Sequence, residues 1–160
     1  MEFKIKRKTD EDRTSVLELT AHWGADFVIS RARKLYPAEL PGFLAMDETD
    51  EIIGFVSYEI VGDQCEVVTL DAFTQWSGIG TALMKEAERA AREAGCRRLW
   101  LITTNDNVEA IRFYQKRGLT IAAVHANALE QSRKLKPQIP MIGNFGIPIR
   151  DEIEFEMWLK

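Results

Sequence analysis

The sequence predicts an α/β fold built on a mixed sheet, and three observations point to it. Residues 43–46, 52–61 and 65–72 are short runs rich in β-branched and aromatic side chains, separated by polar or glycine turns, the pattern of an antiparallel meander. At Ser77 the apolar period lengthens to three or four residues, the signature of a helix. A nearly continuous apolar run at 98–103 follows that helix. A buried strand reached by such a crossover lies parallel to the strand before it.

Residues 3–7 alternate apolar and charged, as a short strand does. Thr9 to Asp12 supply a cap and an acidic first turn for a helix carrying Val16, Leu17, Leu19 and Trp23. The stretch 26–36 reads as helical or irregular and ends near Pro37, and Pro41-Gly42 punctuates before the meander. In the helix 77–94, Ile79, Leu83, Ala87, Ala90 and Ala94 form the apolar stripe. Glu88–Arg92 and Arg89–Glu93 are its expected surface pairs, and Gly95 its stop. A second helix is expected at about 107–117, capped by Asn105 or Asn107 and closed by Gly118. Residues 120–125 and 152–159 are the last two strand candidates.

With 160 residues and no linker, repeat or low-complexity segment, the chain reads as a single domain over 1–160. A net charge of −4 with interspersed signs argues against a nucleic-acid binder, which carries a basic stripe. Cys65 and Cys96 fit no metal or redox spacing and are expected as buried, reduced thiols, and no metal site is expected. The N-terminus is not a signal peptide, and no apolar run approaches the roughly 20 residues of a membrane span. A cytoplasmic protein without membrane contact is the expectation.

Gln75-Trp76-Ser77-Gly78-Ile79-Gly80 joins a strand to a helix. Glycines there let the backbone approach a bulky ligand, and the first N–H groups of the helix are donors for a pyrophosphate. A dinucleotide fingerprint would place a third glycine where Leu83 stands, and the Gly-Lys-Ser/Thr of phosphate-loop ATPases is missing. Downstream, Asn107, Ala110 and Tyr114 fall on one helix face. The tyrosine hydroxyl is a proton donor at neutral pH. Taken singly, either segment is explained by a steric turn or by core packing.

Together and in this order they resemble the GNAT superfamily of N-acetyltransferases. Residues 75–80 fit its Gln/Arg-x-x-Gly-x-Gly/Ala coenzyme A signature. Residues 107–118 fit Asn-x-x-Ala-x-x-Phe-Tyr-x-x-x-Gly. One departure is Trp76, where many relatives have a small residue. The resemblance implies a mixed six- to seven-stranded sheet, largely antiparallel with one central parallel pair, with helices on both faces. It implies a splay between 65–72 and 98–103 that holds the pantetheine arm of acetyl-CoA against the backbone near Leu70 and Ala72. The pyrophosphate would lie on Gln75, Trp76, Ser77, Gly78, Ile79 and Gly80, with Thr81 nearby. Asn107 would stand beside the arm and Tyr114 beside the thioester sulfur.

The implied reaction is transfer of acetyl from acetyl-CoA, a co-substrate, to an amine. Tyr114 is the expected general acid, and Glu66, on the fourth strand, the expected base, with Asp71 second; His22 and His125 read as surface or packing residues. Acceptor contacts are expected from 20–36, with Trp23, Phe27, Arg31 and Arg33, and from 126–151. The Pro/Gly-rich part of the latter suits either a cover over the site or the contact of a homodimer. A small-molecule amine is the favoured acceptor. The alternatives are a protein N-terminus or lysine, or a catalytically silent acyl-CoA sensor or interaction module.

Overall fold

In chain order the elements are β1 (Lys4–Arg7), α1 (Arg13–Ala21), β2 (Val28–Ser30), β3 (Arg33–Leu35), β4 (Gly42–Met46), β5 (Ile52–Val61), β6 (Gln64–Ala72) and α2 (Ile79–Glu93), followed by β7 (Arg98–Thr104), α3 (Val108–Lys116), β8 (Thr120–His125), α4 (Leu129–Leu135) and β9 (Glu152–Trp158). The computed structural model describes residues 2–22, 24–73 and 78–160. Seven strands form one sheet in the order β1-β4-β5-β6-β7-β9-β8, and β2 and β3 form a separate hairpin. Every pairing in the large sheet is antiparallel except β6 with β7. The mixed sheet with one central parallel pair is therefore present as expected.

Two cores flank the sheet. On one face, Val56, Tyr58, Cys65, Val67, Leu99, Leu101 and Phe155 pack against Ile79, Leu83, Met84 and Ala87 of α2 and Tyr114 of α3. On the other, Leu44, Met46 and Phe55 pack against Val16 of α1 and Ala38. Phe55 is fully buried there, and removing a side chain of that size from water contributes about 1.5–3 kcal/mol. The alternation of the strands sets which residues reach which core, since neighbours on a strand point to opposite faces.

Three sequence expectations need correction. The stretch 26–36, expected as helical or irregular, is a β-hairpin. Its turn, Arg31-Ala32, has φ of 49° and 60° at two non-glycine residues, the geometry that two-residue hairpins usually assign to Asn-Gly, so the turn carried no sequence signal. The segment 126–151, to which the sequence assigned no strand or helix, holds a helix, α4. On α2, Glu88–Arg92 pairs at 2.8 Å as expected, but Arg89 pairs with Glu86 rather than Glu93. No helix among the described residues is long and apolar enough to cross a membrane.

Helix α2 rests directly on β5 at Gly54. A Cβ there would stand 2.6 Å from Ile79 Cγ2 and 3.0 Å from Leu83 Cδ1. Gly54→Ala is expected to cost about 1–3 kcal/mol by overpacking, read as a lower urea midpoint at unchanged slope. An unchanged midpoint would show that α2 yields freely at this contact.

Candidate active site

Pairing between β6 and β7 stops early. It runs from Gln64–Arg98 to Val67–Leu101, while β7 continues alongside β9 as far as Thr104. The cause lies on β6, where Ser57 of β5 pairs with Thr69 and Tyr58 with Val67, leaving Val68 as an extra residue. A bulge of this kind bends its strand and disrupts the ladder. Beyond Val67 the strand therefore leaves β7, and the sheet splays between them. Past the bulge the hydroxyls of Ser57 and Thr69 bond each other at 2.6 Å.

The splay opens into a cleft of about 560 Å³, lined by Leu70, Asp71 and Ala72 of β6, by Gly78 to Thr81, and by α3. Gly78 has φ of 81°, a conformation natural to glycine, and precedes α2 without any side-chain cap. The first intrahelical bond runs from Ala82 N to Gly78 O at 3.0 Å. The N–H groups of Ile79, Gly80 and Thr81 therefore have no partner within the helix, at its positive dipole end. Gly80 faces the Phe113 ring, 3.4 Å from where its Cβ would stand. Gln75, Trp76 and Ser77 lie outside the described residues.

Asn107, Ala110 and Tyr114 all line the cleft, on the face their spacing implied. Asn107 stands at the N-cap position of α3, yet no side chain caps that end. Its amide donates to Thr103 Oγ1 at 3.1 Å. Asn105 does not cap the helix either: its Oδ1 accepts from Arg150 N and Asp151 N, tying down the chain before β9. Tyr114 is held edge-on by Phe113, with centroids 5.6 Å apart, and tilted against Phe155 at 5.7 Å. Burial first, and then the charge of Asp71, push its phenol well above the usual range.

The sequence reading missed three cations on α3, Arg112, Lys116 and Arg117, which line the same cleft. Arg117 Nε donates to Thr81 Oγ1 at 2.8 Å, joining the end of α3 to the start of α2. The signal was available, because residues 112 and 116 are one helical turn apart beside Tyr114. Among the described residues, no group of three His, Cys, Asp or Glu is placed to hold a metal ion.

Glu66 does not line this cleft. It is 3% exposed on the other side of β6 from Cys65 and Val67. There it accepts from Ser30 Oγ at 2.6 Å and from Arg33 Nη2 at 2.5 Å. Burial raises its carboxyl, outweighing those two partners. A separate cavity of about 330 Å³ lies here, lined by Glu66, Arg33, Glu59, Gln64 and Trp100 among others. Arg33 and Arg98 both stand over the Trp100 ring, at 5.7 and 5.5 Å.

The two segments expected to contact the acceptor meet each other on this face. Lys136 Nζ donates to Phe27 O at 3.2 Å and Gln138 Nε2 to Gly24 O at 3.3 Å. Glu152, 2% exposed, accepts from both the backbone N and the guanidinium of Arg31. That double contact over-determines the strained Arg31-Ala32 turn. His125 bonds Glu154 at 2.9 Å, and His22 is exposed. Trp23 lies outside the described residues.

Comparison with known proteins agrees with this geometry. Residues 9–119 match the acetyltransferase (GNAT) family. A protein of Bacillus subtilis (strain 168), YdhI, is 50% identical over 134 residues, 84% of each chain. An IAA acetyltransferase from Bacillus cereus ATCC 14579 superposes with a TM-score of 0.75 at 23% identity, covering 99% of this chain and 100% of that one. A GNAT family acetyltransferase from Elizabethkingia anophelis, solved with acetyl-CoA bound, gives a TM-score of 0.70 at 22% identity over 98% of each chain.

Gly80→Val would drive a branched side chain into the Phe113 ring and the mouth of the cleft. Affinity for acetyl-CoA by calorimetry should fall at least about tenfold, a loss of about 1.4 kcal/mol, with the fold retained by circular dichroism. Unchanged affinity would remove the cleft as the binding site.

Proposed function

The chain belongs to the acetyltransferase (GNAT) family, and from that premise we propose that it transfers an acetyl group from acetyl-CoA to a primary amine of a small molecule. The observation that carries this reading is the splay beyond Val67 and Leu101, with N–H groups of α2 that have no partner within the helix at one end and Tyr114 lining the space. A cleft of about 560 Å³ is of the size that holds an extended ligand of this kind. Its donors and the cations of α3 suit the phosphates of coenzyme A.

In the proposed arrangement Leu70 and Ala72 present backbone to the pantetheine arm. Gly78, Ile79, Gly80 and Thr81, with Gln75, Trp76 and Ser77, take the pyrophosphate. Asn107 stands beside the arm. The amine attacks the thioester carbon, the C–S bond breaks, and the departing thiolate takes a proton from Tyr114. Backbone N–H groups of β6 would stabilise the charge that develops on the thioester oxygen.

Crowding supports a small acceptor. The β2–β3 hairpin and the segment after α4 are bonded to one another through Lys136–Phe27 and Gln138–Gly24, and in this reading the joined segments would narrow the approach for a protein tail. The buried free thiols Cys65 and Cys96 suit a reducing compartment, and we place the enzyme in the cytoplasm. Thiol release with a panel of amines, followed by mass spectrometry of the product, tests the whole reading. Binding of acetyl-CoA without turnover on any amine would instead identify an acyl-CoA sensor.

Tyr114→Phe deletes one oxygen and leaves the ring between Phe113 and Phe155. Loss of a positioned proton donor should lower kcat about 10²–10⁴-fold with little change in acetyl-CoA affinity. A rise in KM alone would make the hydroxyl a binding contact. A fall in Tm alone would make it a packing group.

A further inference from the structure

Resting on that reading, we propose that Asp71, not Glu66, is the group that takes the proton from the attacking amine. Both carboxylates belong to β6, but their surroundings differ. Glu66 has its two oxygens committed to Ser30 and Arg33 and lies outside the cleft. Asp71 lines the cleft together with Tyr114. Among the described residues neither its carboxylate nor the Tyr114 hydroxyl has a hydrogen-bond or ion-pair partner. Two proton-transfer groups thus line one space.

Their placement suits the two ends of the reaction. Asp71 is opposite Phe55 in the β5–β6 ladder, and Phe55 is buried on the α1 side of the sheet. Directly paired residues share a face, so the Asp71 side chain lies on that side. Leu70 and Val56, paired with each other, pack on the opposite side with α2 and Tyr114. The amine and the leaving sulfur therefore meet different groups at the splay.

The proton balance closes. The ammonium gives one proton to the Asp71 carboxylate, and the free amine forms the C–N bond. Collapse breaks the C–S bond, Tyr114 protonates the thiolate, and the second nitrogen proton returns to the Tyr114 oxygen as the amide forms. Asp71 then releases its proton to water. Burial alone raises Asp71 to about 6, which suits a base that must pick up and release a proton near neutrality. The titratable groups that line the same cleft are Glu109, Arg112, Tyr114, Lys116 and Arg117, and the charge of Asp71 acts on Tyr114 among them. Its partner in the ladder, Phe55, is apolar, as is the Val16 of α1 packed on that ring.

The experiment compares the wild type with Asp71→Asn and Asp71→Glu on one amine. Asp71→Asn should lower kcat/KM about 10²-fold or more and abolish the acidic limb near pH 6. Asp71→Glu should restore that limb in part, and acetyl-CoA affinity should hold in both variants. Stability moves the other way. A carboxyl whose pKa is raised on folding stabilises the fold below its unfolded value and loses that contribution as pH rises through about 6. Asp71→Asn should therefore raise Tm above neutral pH, whereas a merely structural aspartate would lower it. In the unliganded protein, carbon NMR should show the Asp71 carboxyl titrating near 6. Wild-type rates and an unchanged limb in Asp71→Asn, with normal turnover on the amine, would overturn the role of Asp71 alone. Failure of the wild type to acetylate any amine while binding acetyl-CoA would overturn the transfer reading along with it.

Discussion

The early end of the β6–β7 ladder is the constraint on which the rest of the molecule depends. One extra residue, Val68, bends β6 away from β7 after Val67, while β9 keeps β7 straight through Thr104. A parallel pair has no shared hairpin to hold its strands together at that end. The walls of the opening come from two independent elements. α2 starts at one rim because the crossover must return over the same face, and α3 follows β7 at the other. Arg117 then joins the two rims through Thr81.

The two faces of the splayed sheet are chemically different. The α2–α3 side is an apolar core ending in Tyr114, where helix-terminal N–H groups and α3 cations gather. The hairpin side carries buried charge: Glu66 with Arg33, and Glu152 with Arg31. In both pairs the carboxylate is buried and the guanidinium partly exposed, so removing the arginine would leave a costly buried charge without its counter-ion. Their effect is to fix the hairpin in one position. Lys136, whose burial pushes its ammonium down in pKa, anchors the same hairpin through a carbonyl rather than a carboxylate.

The two carboxylates of β6 are distinguished by their surroundings. Glu66 and Asp71 stand on one strand and are both raised by burial. Among the described residues, a guanidinium and a hydroxyl engage the carboxylate of Glu66 and none engages that of Asp71. An engaged carboxylate is a structural group, and one that faces a cleft without partners remains able to exchange a proton.

The sequence by itself determined the element order from β4 through β8, the parallel crossover and the helix face shared by Asn107, Ala110 and Tyr114. Those follow from hydrophobic period and local turn chemistry, which act over a few residues. The bulge left a trace, the doubled Val67-Val68 at which the inward phase shifts from Cys65 and Val67 to Leu70 and Ala72, but no partner strand was visible to interpret it. The Arg31-Ala32 turn left none, because its backbone strain is held by Glu152, remote in the chain. Which carboxylate of β6 is free was likewise beyond reach of the sequence. That depends on Ser30 and Arg33 arriving from a separate hairpin, and side-chain burial and partnership are properties of tertiary packing.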